Sequence, residues 1–331
     1  MTVILMILSD ARQTGHSTTE RDRSPRTNEP IFHQPWWLDA VAPGRWDAAT
    51  VERGGRTVAA LPFVVRGPRR LRVLSQPPLT PFLGPWIAQE DGAKYDTRLR
   101  DQMELHALLE AKLPAAAAFR QNFSTSMMNC LPFIWAGYRV EVRYTYRLED
   151  LGSEQALWAG LAGNIRREVR KAQRRLEIRE TADVDRFHQV WTKTFERQGA
   201  AAPDRARLER IDAACVQRNG RTILFACDEA ERVHAVAYLV GDQRTTYYLM
   251  GGGDPQLRTS GAGSLLMWEA IRRARAVSQV FDFEGSMLRP VERFFRAFGG
   301  RQTPYPHVSR ATRVGGAALA VRAGVKRWAR R

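Results

Sequence analysis

The sequence predicts an α/β protein made of two halves, each a twisted mixed sheet flanked by helices. Three observations support this fold class. The chain has 331 residues, which is enough for about two domains. Both halves show the order helix, hairpin strands, helix and further strands, so a structural duplication is suspected although no sequence repeat is readable. Residues 246–300 have the pattern strand, glycine-rich loop, helix and strand, which predicts a βαβ unit.

Composition is that of an ordinary folded protein, with 44% hydrophobic and 26% charged residues. The three cysteines, Cys130, Cys215 and Cys227, lie far apart and form no CxxC pair. This spacing argues against a zinc site and against a disulfide framework, and it favours a reducing compartment. We therefore predict no metal and a cytoplasmic location.

The net charge of +16 is unevenly distributed. Residues 1–148 and residues 149–310 each carry a net charge of +5, whereas residues 311–331 alone carry +6. The folded halves are therefore only mildly basic, which weakens the case for a global nucleic-acid surface.

The N-terminal segment, residues 1–30, is predicted to be a disordered leader. It opens with an apolar run, Met1–Leu8, that is too short for a membrane span and lacks the preceding basic residue of a signal peptide. No stretch of the chain reaches 18 apolar residues, so the protein is expected to be soluble or peripheral.

The first half, residues 31–148, is predicted to contain a short helix at Pro35, a hairpin, a helix and several strands. The hairpin strands are 50–52 and 57–65 around Gly54-Gly55, and a short strand at 71–74 precedes a proline-rich loop. Helical spacing covers 98–118 up to Pro114, and strands are predicted at 131–133 and 139–148.

The second half, residues 149–310, opens with a long helix from Ser153 to about Leu176 whose apolar residues repeat at the helical period. Its other faces are rich in Arg and Lys between 166 and 175. Helices follow at about 183–197 and 204–218, and then strands at 222–227, 234–240 and 245–250. The strand Val280–Asp282 and a helix ending at Gly299-Gly300 complete the pattern.

The first candidate site is the segment Arg258-Thr259-Ser260-Gly261-Ala262-Gly263-Ser264 at the start of a helix. Glycines there let a ligand approach the backbone, free N–H groups face an anion, and Arg258 adds a charge that suits phosphate. The alternative is a merely flexible connection between strand and helix.

The second candidate site is Asp282 and Glu284, which strand alternation places on one face while Phe281 and Phe283 face the other way. Two such carboxylates can hold an amine and accept its proton. The alternative is ion pairing with Arg293 or Arg296.

Four groups of segments resemble segments of the FemAB-like branch of the GNAT acyltransferases, also labelled BioF2-like, and they follow one another in the order found in that family. They are Pro35–Val41 with Ala60–Phe63 and Gln76–Thr80, the basic helix Asn164–Ala172, the stretch Phe281–Met287, and Phe294–Gly300 with Pro304-Tyr305. The resemblance covers about residues 31–310. It implies tandem GNAT folds, with an acyl donor in the second domain and an amine acceptor in the cleft between the domains.

The same resemblance implies the donor-site assignment but supplies no catalytic base. Arg258, Gly261 and Gly263 match the pyrophosphate-binding pattern and favour acyl-CoA as co-substrate, with no permanently bound cofactor, and Ser264 is assigned to the same donor site. We assign catalysis to Asp282, Glu284 and Tyr248, the last lying where a donor carbonyl would be polarised. Arg293, Arg296 and Tyr305 are assigned to substrate binding. The expected activity is direct N-acyl transfer, with a place in cell-envelope or polysaccharide biosynthesis.

Two alternatives stay open. Aminoacyl-tRNA could replace acyl-CoA as donor, with the basic residues near 164–175 holding its backbone. The chain could instead be a non-catalytic GNAT-like protein that binds an anionic surface. The tail, residues 311–331, is predicted to be a basic amphipathic helix with Trp328, suited to weak peripheral contact with the inner face of a membrane. The acceptor and the oligomeric state are not predicted.

Overall fold

The computed structural model describes residues 29–68, 71–88, 92, 94–197, 204–285 and 287–313. The expected leader, apart from Glu29 and Pro30, and the expected tail helix from residue 314 onward lie outside the described residues.

The first half contains three helices and six strands within the described residues. They are α1 (Pro35–Val41), β1 (Trp46–Arg53), β2 (Arg56–Arg66), β3 (Val73–Ser75), β4 (Trp86–Ile87), α2 (Tyr95–Ala111), β5 (Ala118–Asn122), α3 (Leu131–Trp135) and β6 (Arg139–Leu148). A single 3₁₀ turn, Ile31–His33, precedes α1.

The described part of the second half contains six helices and six strands. They are α4 (Glu154–Gly160), α5 (Gly163–Ala172), β7 (Glu177–Thr181), α6 (Val184–Arg197), α7 (Arg205–Val216), β8 (Arg221–Cys227), β9 (Val233–Gly241), β10 (Thr245–Gly253), α8 (Ala262–Ala274), β11 (Val280–Asp282), α9 (Arg289–Arg296) and β12 (Arg301–Ala311). None of the described helices is long and apolar enough to span a bilayer.

One twisted mixed sheet runs through both halves. Its strand order is β1-β2-β3-β5-β12-β6-β11-β10-β9-β8-β7, with β4 paired to β2. The last strand of each half pairs with a strand of the other half. The strand β6 of the first half pairs with β11 of the second, and β12 of the second half pairs with β5 of the first, so the two strands are exchanged. Since β6 and β12 also pair with each other along their length, the exchange joins the halves into a continuous sheet.

The halves repeat one topology. In each, an antiparallel hairpin leads to a strand, a helix and a parallel strand, which are β3, α2 and β5 in the first half and β10, α8 and β11 in the second. A short helix and the exchanged strand follow, α3 and β6 in one half and α9 and β12 in the other. The predicted α/β class, with two halves built alike, is thus confirmed.

Strand alternation divides the apolar side chains among cores on the two faces of the sheet. On β8, Phe225 enters the core that also holds Trp37 and Phe187, whereas Leu224 enters the core around α5 and α8. A third core lies beneath α2 and α3. The helix α1 of the first half packs on α7, where Arg207 and Arg210 donate to backbone carbonyls of α1.

Three predictions about elements are wrong. Residues 131–133 form the start of a helix, with Pro132 in its first turn, and not a strand. The long helix from Ser153 is broken at Leu161 and Ala162, which adopt extended backbone between α4 and α5. Gly251, Gly252 and Gly253 are the last residues of β10, paired with β9, and not a loop.

Candidate active site

The candidate site forms where two parallel strands separate. The strands β10 and β11, connected through α8, pair only at three positions, and the last of these joins Tyr247 to Asp282. Beyond that point β10 continues along β9 with a bulge between Tyr248 and Met250, while the chain after β11 turns towards β6, where Phe283 donates its N–H to the carbonyl of Tyr146. Among the described residues, the edge of β10 that faces β11 therefore has no strand partner after Tyr247.

Asp282 lies at this point of separation and is 2% exposed. Its Oδ1 accepts hydrogen bonds from the Thr145 hydroxyl at 2.6 Å and from the Glu284 backbone N–H at 2.8 Å. The Nε atom of Arg147 lies 3.6 Å from its Oδ2. Burial raises the pKa of the Asp282 carboxyl to about 6, because the loss of solvent outweighs the hydrogen bonds and the Arg147 charge that favour the ionised form.

Glu284 follows the strand in a left-handed conformation, with φ of 60°, so strand alternation no longer fixes the direction of its side chain. Its Oε1 atom is buried and has no hydrogen-bond partner among the described residues. Burial, and secondly the charge of Asp282, raise the pKa of Glu284 well above its usual value. Gly285 then presses on β6, because a Cβ there would lie 2.3 Å from the carbonyl oxygen of Tyr144.

The tyrosines are divided between the two faces of the sheet. Tyr305 lies with Tyr247 around Phe82, at ring-centroid distances of 4.8 and 6.5 Å, on the face to which Asp282 alternates. Tyr248 lies on the other face, 6.1 Å from the ring of Phe295. Its hydroxyl lies over Gly251, where a Cβ atom would be only 1.7 Å away.

Glu284 connects the two tyrosine groups electrostatically. Burial raises the pKa of Tyr248, and the negative charge of Glu284 raises it further. Burial is also the main reason for the raised pKa of Tyr305, to which Asp282 and Glu284 both contribute. The charge of Glu284 therefore acts on Tyr248 on one face of the sheet and on Tyr305 on the other, while Asp282 acts on Tyr305 alone of these two.

In the predicted phosphate-binding loop, the position of Gly261 requires a glycine. This residue has φ of 78°, and a Cβ on it would lie 3.2 Å from the carbonyl oxygen of Glu168 on α5. Gly263 is open, with no atom within 4 Å of its Cβ position. The N–H of Ala262, the first residue of α8, donates to the Ser260 hydroxyl at 3.3 Å. The N-cap Gly261 makes no side-chain hydrogen bond, so the next backbone N–H groups of the first turn, those of Gly263 and Ser264, can face an anion.

Two further loop residues behave differently. Arg258 is exposed in a 3₁₀ turn just before α8 and forms no ion pair within the described part of the chain. The Ser264 side chain is buried, and its hydroxyl donates to Glu168 at 2.6 Å, so this side chain ties α8 to α5. Ser264 can offer a ligand its backbone N–H but not its hydroxyl.

Arg293 and Arg296 lie on the exposed side of α9. Arg296 pairs with Glu292, which also accepts the Tyr146 hydroxyl at 2.6 Å. Pairing of either arginine with Asp282 or Glu284, the alternative considered from the sequence, is wrong, since the cation beside Asp282 is Arg147.

Sequence reasoning missed Thr145 and Arg147. They lie on β6, a strand of the first half, and reach Asp282 only because β6 is exchanged into the sheet beside β11. The available signal is the polar series Arg143, Thr145 and Arg147 at every second position of a predicted strand. That series indicates a polar environment on one face of the strand without saying which residue lies opposite.

In the first half, the corresponding space between β3 and β5 is occupied by the proline-rich loop. After β3, the side chain of Gln76 hydrogen-bonds the carbonyls of Thr80 and Pro81 and the N–H of Asn122 at the end of β5. The proline-rich loop thereby occupies the space that stays open between β10 and β11. The described residues thus contain one such opening, in the second half.

Comparisons with known proteins agree with this geometry. Residues 161–296 match the family model described as an acetyltransferase (GNAT) domain. This stretch contains α5, β10, α8, β11 and α9, that is, the whole βαβ unit. Residues 161–296 are therefore similar to a GNAT acetyltransferase domain, and this similarity supports a transferase.

Several solved structures share the fold of this chain. The crystal structure of FemX has a TM-score of 0.63 at 12% identity, covering 85% of this chain and 92% of that one. The C-terminal domain of a protein described as a lysylphosphatidylglycerol synthetase, from Agrobacterium fabrum, has a TM-score of 0.55 at 13% identity, covering 85% and 89%. A conserved protein of unknown function from Bacteroides thetaiotaomicron VPI-5482 has 0.53 at 11%, covering 84% and 90%. No curated protein sequence matches the chain significantly. At these identities the likeness establishes the fold, and this fold agrees with the one that the sequence resemblance implies.

Proposed function

We propose that this chain is an N-acyltransferase that moves an acyl group from acyl-CoA to an amine. The observation that carries the proposal is the position of Asp282. A buried carboxyl group with pKa raised to about 6 lies at the point where β10 and β11 separate, and it is thus ionised at neutral pH in a site that strengthens its basicity.

The donor would lie along the open edge of β10. Its pyrophosphate would meet the first turn of α8 at Gly263, with Arg258 as an unpaired cation beside it. Backbone N–H groups near the bulge at Tyr248 would polarise the thioester carbonyl and stabilise the oxyanion that forms there.

The acceptor would react by direct attack. The amine nitrogen forms a bond to the thioester carbon, the carbon–sulfur bond breaks, and CoA leaves as the thiolate. The proton lost by the amine passes to the Asp282 carboxylate, whose Oδ2 lies 3.6 Å from Arg147 Nε. Tyr305 and Glu284 would line the acceptor side of the opening.

Two variants test the proposal by affecting different kinetic constants. Arg258→Ala should weaken acetyl-CoA binding about tenfold by calorimetry, because one charge-assisted phosphate contact is lost. Asp282→Asn should keep acetyl-CoA binding and lower kcat by roughly a hundredfold or more, measured as CoA thiol release with a panel of amines. Arg56→Ala, at an exposed arginine on the β1–β2 hairpin, is the matched control. Wild-type kinetics in both site variants would show that the site is misplaced.

A second donor, aminoacyl-tRNA, is favoured by one observation. Six basic residues on and just after α5 form no ion pair with an acidic side chain in the described part of the chain, namely Arg166, Arg167, Arg170, Lys171, Arg174 and Arg175. The arginines of α8 differ, since Arg272 and Arg273 are paired with Glu269. The unpaired series adjoins the donor loop, because Glu168 of α5 holds Ser264.

The salt dependence of tRNA binding separates the two donors. If tRNA is the donor, replacing Arg166, Arg170 and Arg174 with Gln should lower the slope of log K against log salt by about two to three. Replacing Arg56, Arg98 and Arg100, exposed arginines of the first half, should leave that slope unchanged. Tight acetyl-CoA binding together with equal slopes in both triple variants would leave acyl-CoA as the donor.

A further inference from the structure

Arg143 is a partly buried cation without an acidic partner among the described residues. It lies on β6 two residues before Thr145 and four before Arg147, so the three side chains share one face of the strand. Its guanidinium donates from Nη1 to Oδ1 of Asn122 over a long distance of 3.4 Å. Because partial burial of a guanidinium costs solvation that a neutral amide restores poorly, the group is suited to bind an anion at this position.

The other arginines on this face of β6 supply an internal comparison. Arg139 lies 2.9 Å from a carboxylate oxygen of Glu141, and Arg147 lies 3.5 Å from one of Glu149. Arg143 lies between these two arginines on the same strand, yet it is the more buried position than Arg139 and has no such pair within the described ranges. The absence of a carboxylate partner is therefore particular to Arg143.

The histidine beside Arg143 adds no positive charge. Asn122 donates from Nδ2 to a carbonyl of the proline-rich loop at 3.0 Å, so its Oδ1 accepts from Nδ1 of His307 at 2.8 Å. Burial, and secondly the charge of Arg143, lower the pKa of His307 to about 4, so this ring is neutral at pH 7. The other charged groups that act on it, Arg120 and Glu141, have opposite signs. A single guanidinium fork matches a carboxylate better than a phosphate dianion.

Arg143 belongs to the same opening as the candidate base. It lies directly opposite Tyr305 across β6 and β12. Burial raises the pKa of Tyr305, the charge of Arg143 opposes this rise, and the charges of Asp282 and Glu284 add to it. The Tyr305 hydroxyl is therefore within electrostatic reach of the cation and of both carboxyl groups. Thr145, which donates to Asp282, lies two residues from Arg143 on the same strand face, a spacing of about 7 Å.

We propose that Arg143 binds a carboxylate of the acceptor, about 7 Å from the amine that reacts beside Asp282. The inference rests on the proposed function, and it narrows the acceptor to amines that carry a carboxylate several bonds away. An α-amino acid is too short to use both positions, because a single carbon separates its two groups. A longer ω-amino acid such as 6-aminohexanoate has the required separation.

The first test compares two amines of the same shape that differ in charge. The acid is 6-aminohexanoate, and 6-aminohexanamide replaces its carboxylate with a neutral amide. We expect the wild type to have a kcat/KM about tenfold higher for the acid, measured as CoA thiol release, because one charge-assisted contact is added. This ratio should fall to about one in Arg143→Gln. It should persist in Arg139→Gln, the matched control on the same face of the same strand.

Reversal of the charge gives a readout that a purely structural role of Arg143 would not change. Arg143→Glu should use hexane-1,6-diamine better than 6-aminohexanoate, because the ammonium group now meets a carboxylate and the acid meets a like charge. Acetyl-CoA affinity and the unfolding temperature identify the variants that are folded. An unchanged order of the two amines in folded Arg143→Glu would overturn the inference.

Binding measured without turnover separates this inference from the proposed function. Ligand-observed NMR should show that the wild type binds 6-aminohexanoate more tightly than its amide and that Arg143→Gln removes the difference. That result without CoA release from any amine would overturn the proposed reaction and support the carboxylate site. Equal CoA release from acid and amide in the wild type would overturn the carboxylate site and support the reaction. Tighter binding of 5-aminopentyl phosphate than of 6-aminohexanoate would overturn the assignment to a carboxylate.

Discussion

The hydroxyl group of Thr145 donates a 2.6 Å hydrogen bond to Oδ1 of Asp282, and so a residue of the first half holds the candidate base of the second. The contact exists because β6 pairs with β11 across the exchanged strands. Arg147, two residues further along β6, faces the other oxygen of the same carboxyl group. The pairing of β6 with β11, which joins the two halves, therefore also places Thr145 and Arg147 beside Asp282.

Loss of this hydrogen bond should shift the pH dependence of the reaction. The Thr145 hydroxyl favours the ionised form of Asp282, so Thr145→Val should raise the carboxyl pKa above about 6. The acidic limb of the kcat/KM profile should move to higher pH, with a loss of roughly tenfold near pH 6 and a smaller loss at pH 8. Thr145→Ser keeps the donor and should restore the wild-type profile. An unshifted limb in Thr145→Val would remove Asp282 as the titrating base.

The ionised Asp282 carboxyl group should also lower the free energy of unfolding near neutral pH. Its pKa is about 6 in the folded protein and 3.8 as the ordinary value, so the folded state binds the proton more tightly. Stability is thus unaffected by this group below about pH 4, falls as pH rises from about 4 to about 6, and stays reduced above that. Asp282→Asn should therefore raise the free energy of unfolding at pH 7.5 by about 1–3 kcal/mol.

Chemical denaturation of Asp282→Asn at pH 7.5 and pH 4 measures this effect. The variant should gain stability at pH 7.5 and lose most of that gain at pH 4, where the wild-type carboxyl is protonated as well. A gain in stability together with a loss of turnover is the expected mark of a strained functional residue. Equal stability of the two proteins at both pH values would show that the carboxyl group is not penalised by burial.

Much of this arrangement could be predicted from the sequence, because local patterns determine it. The segment Val280–Asp282 is short and apolar, Arg139–Leu148 alternates strictly, and Ser153 and Asp204 cap the helices that follow them. These signals place Asp282 at a strand end and Gly261 at a helix start without knowledge of the tertiary structure.

The failures occur where tertiary contacts decide the outcome. Gly252 lies in β10, and the absence of a side chain there lets α6 pack closely against the strand. A Cβ atom on Gly252 would lie 2.4 Å from the hydroxyl oxygen of Thr194 on α6. The break between α4 and α5 is hidden because Leu157, Leu161 and Ile165 all enter one core and keep the helical period across it. Thr145 could not be placed beside Asp282, since strand exchange leaves no local signal.

Alanine substitution of the two glycines at the start of α8 should affect stability differently. Gly261→Ala forces an L-residue into the left-handed region and brings its Cβ to 3.2 Å from the Glu168 carbonyl, so we expect a loss of about 1–2 kcal/mol in stability and weaker donor binding. Gly263→Ala is the matched control for stability. It meets no atom within 4 Å and lies in the first turn of α8, so the free energy of unfolding should not fall.

Thermal unfolding and acetyl-CoA calorimetry on the two glycine variants provide the measurement. If a phosphate binds at the open side of Gly263, the added methyl group there should weaken acetyl-CoA binding without loss of stability. Wild-type affinity in Gly263→Ala would place the donor phosphates elsewhere.

A buried histidine in the first half should make the protein sensitive to acid. His106 is fully buried on α2, with its ring 5.6 Å from that of Phe133. Burial lowers its pKa from 6.5 to about 4, so the unfolded chain binds a proton that the folded one excludes. The stability that depends on neutral His106 is present above pH 6.5 and is lost as pH falls towards 4, by up to about 3 kcal/mol.

His106→Leu isolates this contribution because Asp282 acts in the opposite direction over nearly the same range. In the wild type the two groups partly cancel, since protonation of Asp282 favours the folded state between pH 6 and pH 4 while protonation of His106 opposes it. The difference in unfolding free energy between His106→Leu and wild type should therefore rise as pH falls from 6.5 to 4. Since His106 and Asp282 lie in different halves, their double variant should equal the sum of the single variants at each pH, and a pH-independent difference for His106→Leu would contradict the assigned role.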